Sequence, residues 1–291
     1  MLQWVTDGGL ETELVFHRGL DLPAFAAFPL VEQPEGALLL AEYYRGYAAI
    51  AGAAGAGLVL ETPTWRANPD WGATLGYDAA ALDRVNRRAV ELVQQTGTDG
   101  LPVRVSGVVG PRGDGYVASS QLADEAAEYH RPQVASLAAA GVDVIHAMTL
   151  STVAEAVGVV RAARDAGVAV GVSFTLETDG HLPDGTPLGE AVAQVDAQAA
   201  ADWYGINCAH PLHVRPALDG GSWQERLQCF RPNASTLTHA ELDVMEVLDE
   251  GDRDLLRAST TELLALLPSV TTLGGCCGTD ATHVAALWGV S

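Results

Sequence analysis

The sequence predicts a (β/α)8 barrel, formed as a single α/β domain over residues 1–291. Short β-branched runs alternate with Ala- and Leu-rich helical stretches from end to end, eight such runs fit within 291 residues, and no low-complexity linker divides the chain. A doubly wound open sheet is the alternative that the same alternation allows.

The first strand, 3–6, leads into Asp7-Gly8-Gly9. An Ala-rich helix over 36–54 precedes a strand at 58–62 that closes on Glu61-Thr62. The next helix, 79–95, places Leu82, Val85, Ala89, Leu92 and Val93 on one face at helical spacing. Strands at 103–109, 142–148 and 168–174 follow, separated by helices at 123–140 and 152–166. Residues 178–185 are rich in turn formers and read as a loop over an active-site mouth, before a helix at 187–201. The sixth strand, 203–207, ends in Asn207-Cys208, and the seventh is expected at 227–230. The acidic stretch 241–254 reads as a solvated helix face and loop leading into a helix at 252–267. The eighth strand, 270–273, delivers Gly274-Gly275-Cys276-Cys277-Gly278, and Thr279 is expected to cap a last helix over 279–288.

Composition excludes several chemistries. All sixteen basic residues are Arg, so lysine Schiff bases, lysine-bound pyridoxal phosphate and a Walker A loop are ruled out. With 37 Asp+Glu and a net charge of −21, the chain would repel nucleic acid and anionic membranes. No signal-peptide pattern and no membrane-length apolar run is visible, which points to a cytoplasmic protein. Four cysteines, two of them adjacent, make a poor disulfide framework and favour metal binding or catalysis. Cys229 alone reads as a small buried hydrophobe.

In such a barrel the strand ends and the loops after them form the catalytic face. Three cysteines, Cys208, Cys276 and Cys277, therefore project from one rim. Consecutive residues of an extended strand point to opposite faces, so Cys276 and Cys277 can bind one ion only on a curled backbone, which their flanking glycines permit. Three sulfurs without a fixed fourth ligand describe an open tetrahedral zinc site, with Zn–S bonds of roughly 2.3 Å. Such a centre is a poor water activator and suits an incoming thiol, whose pKa it lowers. The expected chemistry is alkyl transfer to sulfur. His210 and His213 share a helix face but are not needed as ligands.

The stretches Asp7-Gly8-Gly9-Leu10-Glu11-Thr12-Glu13-Leu14, Gly205-Ile206-Asn207-Cys208 and Gly274-Gly275-Cys276-Cys277-Gly278-Thr279 resemble the homocysteine S-methyltransferase family. Supporting likeness lies at 105–111, 173–175 and 182–188, and the resemblance runs through nearly the whole chain. The resemblance implies a zinc-dependent barrel that methylates homocysteine to methionine, with Cys208, Cys276 and Cys277 as Zn2+ ligands and Asp7, Gly8 and Gly9 around the amino acid part of the acceptor. The chain has no room for folate or cobalamin modules, so the resemblance implies a simple onium donor such as S-methylmethionine, S-adenosylmethionine or betaine. Trp65 matches an aromatic position of the family; it either faces the donor cation or fills the barrel mouth. Asn233 resembles the family's Pro-Asn stretch after strand seven. Polar Thr62 and Asn207, at the ends of strands two and six, complete the expected substrate contacts.

One departure stands out. The family has a glutamate after strand four where this chain reads His146-Ala147-Met148-Thr149, so Met148 replaces the usual partner of the substrate ammonium. Glu61 either compensates for it or is an ordinary loop acid. Methyl transfer to a different thiol, or from another sulfonium, and non-catalytic zinc or thiol binding are the competing functional readings.

Overall fold

The structure is a computed structural model that describes residues 1–290. Eight parallel strands close in sequence order into a barrel, with the first strand pairing with the eighth. The strands are β1 Trp4–Val5, β2 Gly57–Glu61, β3 Val103–Val109, β4 Val144–Leu150, β5 Ala169–Phe174, β6 Trp203–Asn207, β7 Leu227–Arg231 and β8 Thr272–Leu273. One principal helix follows each: α1 Pro34–Ala54, α2 Ala79–Gln94, α3 Ala123–Ala139, α4 Val153–Asp165, α5 Leu188–Ala199, the short α6 Pro211–Val214, α7 Arg253–Leu266 and α8 Ala281–Trp288. The expected elements all appear, β3 and β6 with the expected bounds and the others with shifted ends, and the barrel rather than the open sheet is the outcome. No described helix is long and apolar enough to cross a membrane.

The helices form where the sequence caps them. Asp78, Thr152 and Asp252 accept backbone N–H groups at the starts of α2, α4 and α7. At α8 the cap is Asp280, not Thr279: its carboxylate accepts from Thr282 and His283. Thr279 instead donates its hydroxyl to the Cys276 carbonyl at 2.7 Å. On α2, Leu82, Val85, Ala89 and Val93 are buried as the spacing requires.

Inside the barrel, large rings sit where facing glycines leave room. A Cβ on Gly171 would lie 2.1 Å from the Trp203 ring, and one on Gly57 would lie 2.5 Å from Trp4. These tryptophans fill the lower barrel, and the polar side chains lie toward the carboxyl ends of the strands. Residues 178–185 fold back through a bridge between His181 and Pro187 and line no part of the cavity at the carboxyl ends of the strands, contrary to the loop expected there. The acidic stretch supplies the rim instead: Asp243, Met245, Val247, Leu248 and Asp249 border that cavity.

Candidate active site

A pocket of about 400 Å³ opens at the carboxyl ends of the strands. It is lined by all twelve residues expected as ligands or substrate contacts: Asp7, Gly8, Gly9, Glu61, Thr62, Trp65, Met148, Asn207, Cys208, Asn233, Cys276 and Cys277. The three cysteine Sγ atoms all lie within 4.8 Å of one another. Tetrahedral ligation with bonds of roughly 2.3 Å would set sulfurs about 3.8 Å apart, so small side-chain adjustments close the trio on one ion.

Local backbone aims each sulfur. Cys208 follows β6 with a positive φ of 57°, a conformation non-glycine residues rarely adopt. Thr149, at the end of β4, is also left-handed at φ 63°, costly for a β-branched residue. Asn207 holds that turn: its Oδ1 accepts from Thr149 N–H at 2.7 Å and its Nδ2 donates to Thr149 Oγ1 at 2.8 Å. Cys276 and Cys277 lie on a tight turn closed by the Thr279 N–H donating to Cys276 O at 3.0 Å. Gly278 is left-handed in that turn at φ 75°, and a Cβ on Gly275 would lie 2.0 Å from Thr279 Oγ1. This is the curl the glycines were expected to allow.

Polar groups surround the sulfurs. The Tyr116 hydroxyl lies 3.0 Å from Cys208 Sγ and 3.9 Å from Cys277 Sγ. Asn207 and Asn233 each donate an amide N–H to sulfur at 3.6 Å, on Cys276 and Cys208 respectively. His239 stacks on Tyr116 with ring centroids 4.0 Å apart and donates from Nε2 to Cys208 O at 2.9 Å. Hydrogen bonds from the other two thiols and Tyr116 hold the Cys208 thiol well below its ordinary range. Donating to Cys208 pushes Cys276 up to about 12 and holds Cys277 well above its ordinary range. Three thiolates this close repel one another, and a bound dication removes that conflict, so the donor set fits a metal ion. Cys229, on β7, is pushed up to about 12 by burial alone and lies outside the trio.

Below the sulfurs runs a buried charge network that the sequence did not reveal. Arg231 Nη2 lies 2.7 Å from Asp7 Oδ1, and Nη1 pairs with Glu61. Arg231 also donates to Gly275 O at 2.8 Å and Gly8 O at 3.0 Å. His146 Nδ1–H donates to Glu61 Oε1 at 2.8 Å, and Nε2 accepts from the Ser173 hydroxyl at 2.7 Å. Burial lowers the His146 pKa to about 3, keeping it neutral, as one donated and one accepted bond require. Glu61 is therefore not a loop acid; it is engaged by Arg231 and His146. Asp7 accepts from Tyr43 as well. The Gly9 amide is also committed, donating to Thr279 O at 2.9 Å. Thr62 ties β2 to β3 by accepting from Val108 N–H at 2.9 Å.

Glu11, also missed, lines the pocket half-buried, and among the described residues no ion pair holds it. Burial, with Asp7 and Cys276 adding to it, pushes its pKa up to about 7. Trp65 lines the mouth, but its indole donates to Met148 O at 3.3 Å, and the Arg66 guanidinium lies 4.6 Å from its ring centroid. One face of Trp65 is thus already covered by a cation. His210 caps α6, accepting from Leu212 N–H, and does not line the pocket.

Fold and site together define a (β/α)8 enzyme built around a three-thiol centre. The homocysteine S-methyltransferase family profile matches residues 4–289. Over 234 residues the chain is 34% identical to the homocysteine S-methyltransferase of Escherichia coli, spanning 73% of this chain and 71% of that one. It is 27% identical over 234 residues to the homocysteine S-methyltransferase YbgG of Bacillus subtilis, spanning 74% and 71%. The crystal structure of the E. coli homocysteine methyltransferase MmuM in its oxidized form superposes with a TM-score of 0.77 at 26% identity, covering 98% of this chain and 94% of that one. Its metallated form gives 0.75 at 25% identity, covering 99% and 96%. The chain belongs to the homocysteine S-methyltransferase family.

Proposed function

We propose that the protein is a zinc-dependent S-methyltransferase of the cytoplasm, transferring methyl from an onium donor to the thiolate of homocysteine to give methionine. The observation that carries this reading is the trio of sulfurs within 4.8 Å at the wall of an open pocket. Cys208, Cys276 and Cys277 would hold the ion. Zinc, when bound there, lowers the acceptor thiol's pKa and keeps its sulfur nucleophilic.

The chain's own groups do the rest. Tyr116, Asn207 and Asn233 direct hydrogen bonds at the sulfurs, fixing their lone pairs and spreading their charge. The acceptor sulfur forms the new S–C bond as the donor's C–S⁺ or C–N⁺ bond breaks; the bonding pair stays on the leaving atom, which departs neutral. The thiol's proton is lost to solvent before transfer. No general base acts on the donor, because its methyl is already activated. Asp7 and Glu61 share the single cation Arg231, so their network keeps one negative charge, and Glu11, held by no ion pair among the described residues, adds a second for the acceptor's ammonium, in the role that Met148 cannot take. An ammonium beside it would bring its raised pKa back down.

Methionine formation from homocysteine, tested with S-methylmethionine, S-adenosylmethionine, betaine and dimethylsulfoniopropionate, with and without a zinc chelator, tests this reading. Chelator-sensitive turnover with one donor is expected. Stoichiometric zinc without turnover of any pair would leave a zinc- or thiol-binding protein, and turnover with thiols lacking the amino group would point to a different acceptor. Glu11→Gln is expected to raise the homocysteine KM by about 10-fold with zinc retained. In the wild type that KM should climb as pH falls through about 7 and Glu11 takes up its proton.

A further inference from the structure

The left-handed turn at Cys208 is held by groups that the methyl transfer above does not use. A non-glycine residue at φ 57° stays there only where its surroundings fix it. Both backbone polar groups of Cys208 are pinned: its N–H donates to Arg231 O at 3.0 Å, and its carbonyl accepts from His239 Nε2 at 2.9 Å. His239 also supports Tyr116, whose ring stacks on it and whose hydroxyl reaches the Cys208 sulfur. One imidazole thus fixes the backbone of a sulfur ligand and the phenol beside that sulfur.

Two elements aim that imidazole. His239 opens the short helix His239–Asp243, whose start is set by a capping box: Thr238 Oγ1 accepts from Glu241 N–H at 3.2 Å, and Glu241 Oε2 accepts from Thr238 N–H at 2.9 Å. On the far side of the ring, Glu177 Oε1 lies 3.2 Å from Nδ1. The Cys208 carbonyl and the carboxylate can only accept, so the ring donates from both nitrogens as an imidazolium. Glu177 belongs to the loop after β5 and lines no part of the pocket. Its own turn is closed at both ends: its N–H donates to His181 O at 2.8 Å, and its carbonyl accepts from Gly180 N–H at 3.0 Å. Gly180 is left-handed at φ 83°, and a Cβ there would lie 2.7 Å from Ala217 N, so the turn is seated against the segment after α6.

We propose that Glu177 and His239 are positioning residues of the three-sulfur centre: Glu177 orients the imidazole, and the imidazole holds the Cys208 backbone and the Tyr116 ring for metal binding. The loop after β5 thereby acts on the centre from outside the pocket. This rests on the metal-binding reading of the three thiols. Partners that orient metal ligands in this way govern affinity without touching the ion.

Zinc affinity can be read by competition with a chromophoric chelator, and ligand geometry by the visible spectrum of the cobalt-substituted protein. His239→Ala is expected to weaken zinc binding by about 10- to 100-fold and Glu177→Ala by about 10-fold, each with a shifted cobalt spectrum. Glu177→Gln should restore both properties, because its amide N–H can donate to Nδ1 while a neutral ring keeps Nε2–H on Cys208 O. A merely structural role would lower the urea midpoint of Glu177→Ala and leave zinc affinity and cobalt spectrum unchanged; that result overturns the proposal. Equal losses in the Gln and Ala variants also overturn it, since the ring would then not be held by this hydrogen bond. If the wild type binds neither zinc nor cobalt, the metal-binding reading fails, and a crystal structure of Glu177→Ala still decides the positioning. A Cys208 carbonyl released from His239 upholds it, and one still bonded overturns it.

Discussion

Removing the Arg231 guanidinium would leave Asp7 and Glu61 buried without their shared cation. Unpaired buried charge is expensive, so Arg231→Met is expected to destabilise the protein by about 3–5 kcal/mol, read from urea midpoints. Among the thiols, Cys208→Ser should lose zinc stoichiometry, whereas Cys229→Ala should keep it at a stability cost of about 1 kcal/mol. Metal content lost in the Cys229 variant alone would contradict the three-sulfur centre. His146 provides a pH test. The unfolded chain takes up that proton near pH 6.5 and the folded one only near pH 3, so stability falls as pH drops through this window. The slope approaches about 1.4 kcal/mol per pH unit, and His146→Asn should flatten it. At this scale the sulfurs were legible because two glycine-flanked cysteine motifs end predicted strands. Arg231 was not, since an arginine beside Pro-Asn reads as a solvated strand end until the partner strands are placed. Glu61 could be singled out from its position, but the pairing with Arg231 and His146 joins residues far apart in the chain and leaves no local pattern.

Elements were readable from periodicity, and their ends were less so. The eight strands were recovered because each buried run is bounded by helices with one apolar face. One residue at the end of β7 mattered: extending the strand from 230 to Arg231 brings the guanidinium into the network. Thr279 and Asp280 are both good caps in sequence, and the choice fell to Asp280 because Thr279 is occupied by the cysteine turn. Asp280→Ala is therefore expected to cost about 1 kcal/mol with zinc retained, whereas Thr279→Val should disturb zinc binding more than helix stability. Measuring melting temperature and metal content on both variants separates the two roles. The acidic segment after β7 could not be placed from composition, because a charged, irregular stretch has the same sequence pattern whether it caps a pocket or only meets solvent.

Across the whole molecule the barrel closes through its shortest strands, β1 and β8, which share two residue pairs. The three sulfurs, on the β6 and β8 sides, bracket β7 beside that seam. Metal at 1,000 times its Kd should add about 4 kcal/mol of stability, or a Tm rise of roughly 8 °C, with slower hydrogen exchange in β7 and β8. A chelator should reverse both effects. Equal protection with and without zinc would show that the ion does not brace the seam.

The rim acids have a consequence for the direction of traffic through the pocket. Asp114, Asp243 and Asp249 border a mouth on a chain of net charge −21. The onium donor proposed above would arrive with a positive centre, which this field would concentrate at the entrance. Methyl transfer from such a donor would erase that centre, so what leaves would be one unit more negative than what entered, and the attraction that assisted capture would not retain the spent donor. Entry should slow as salt screens the rim, while product inhibition should stay nearly insensitive to salt or weaken at low ionic strength. Electrostatics would then favour net flow without any moving part.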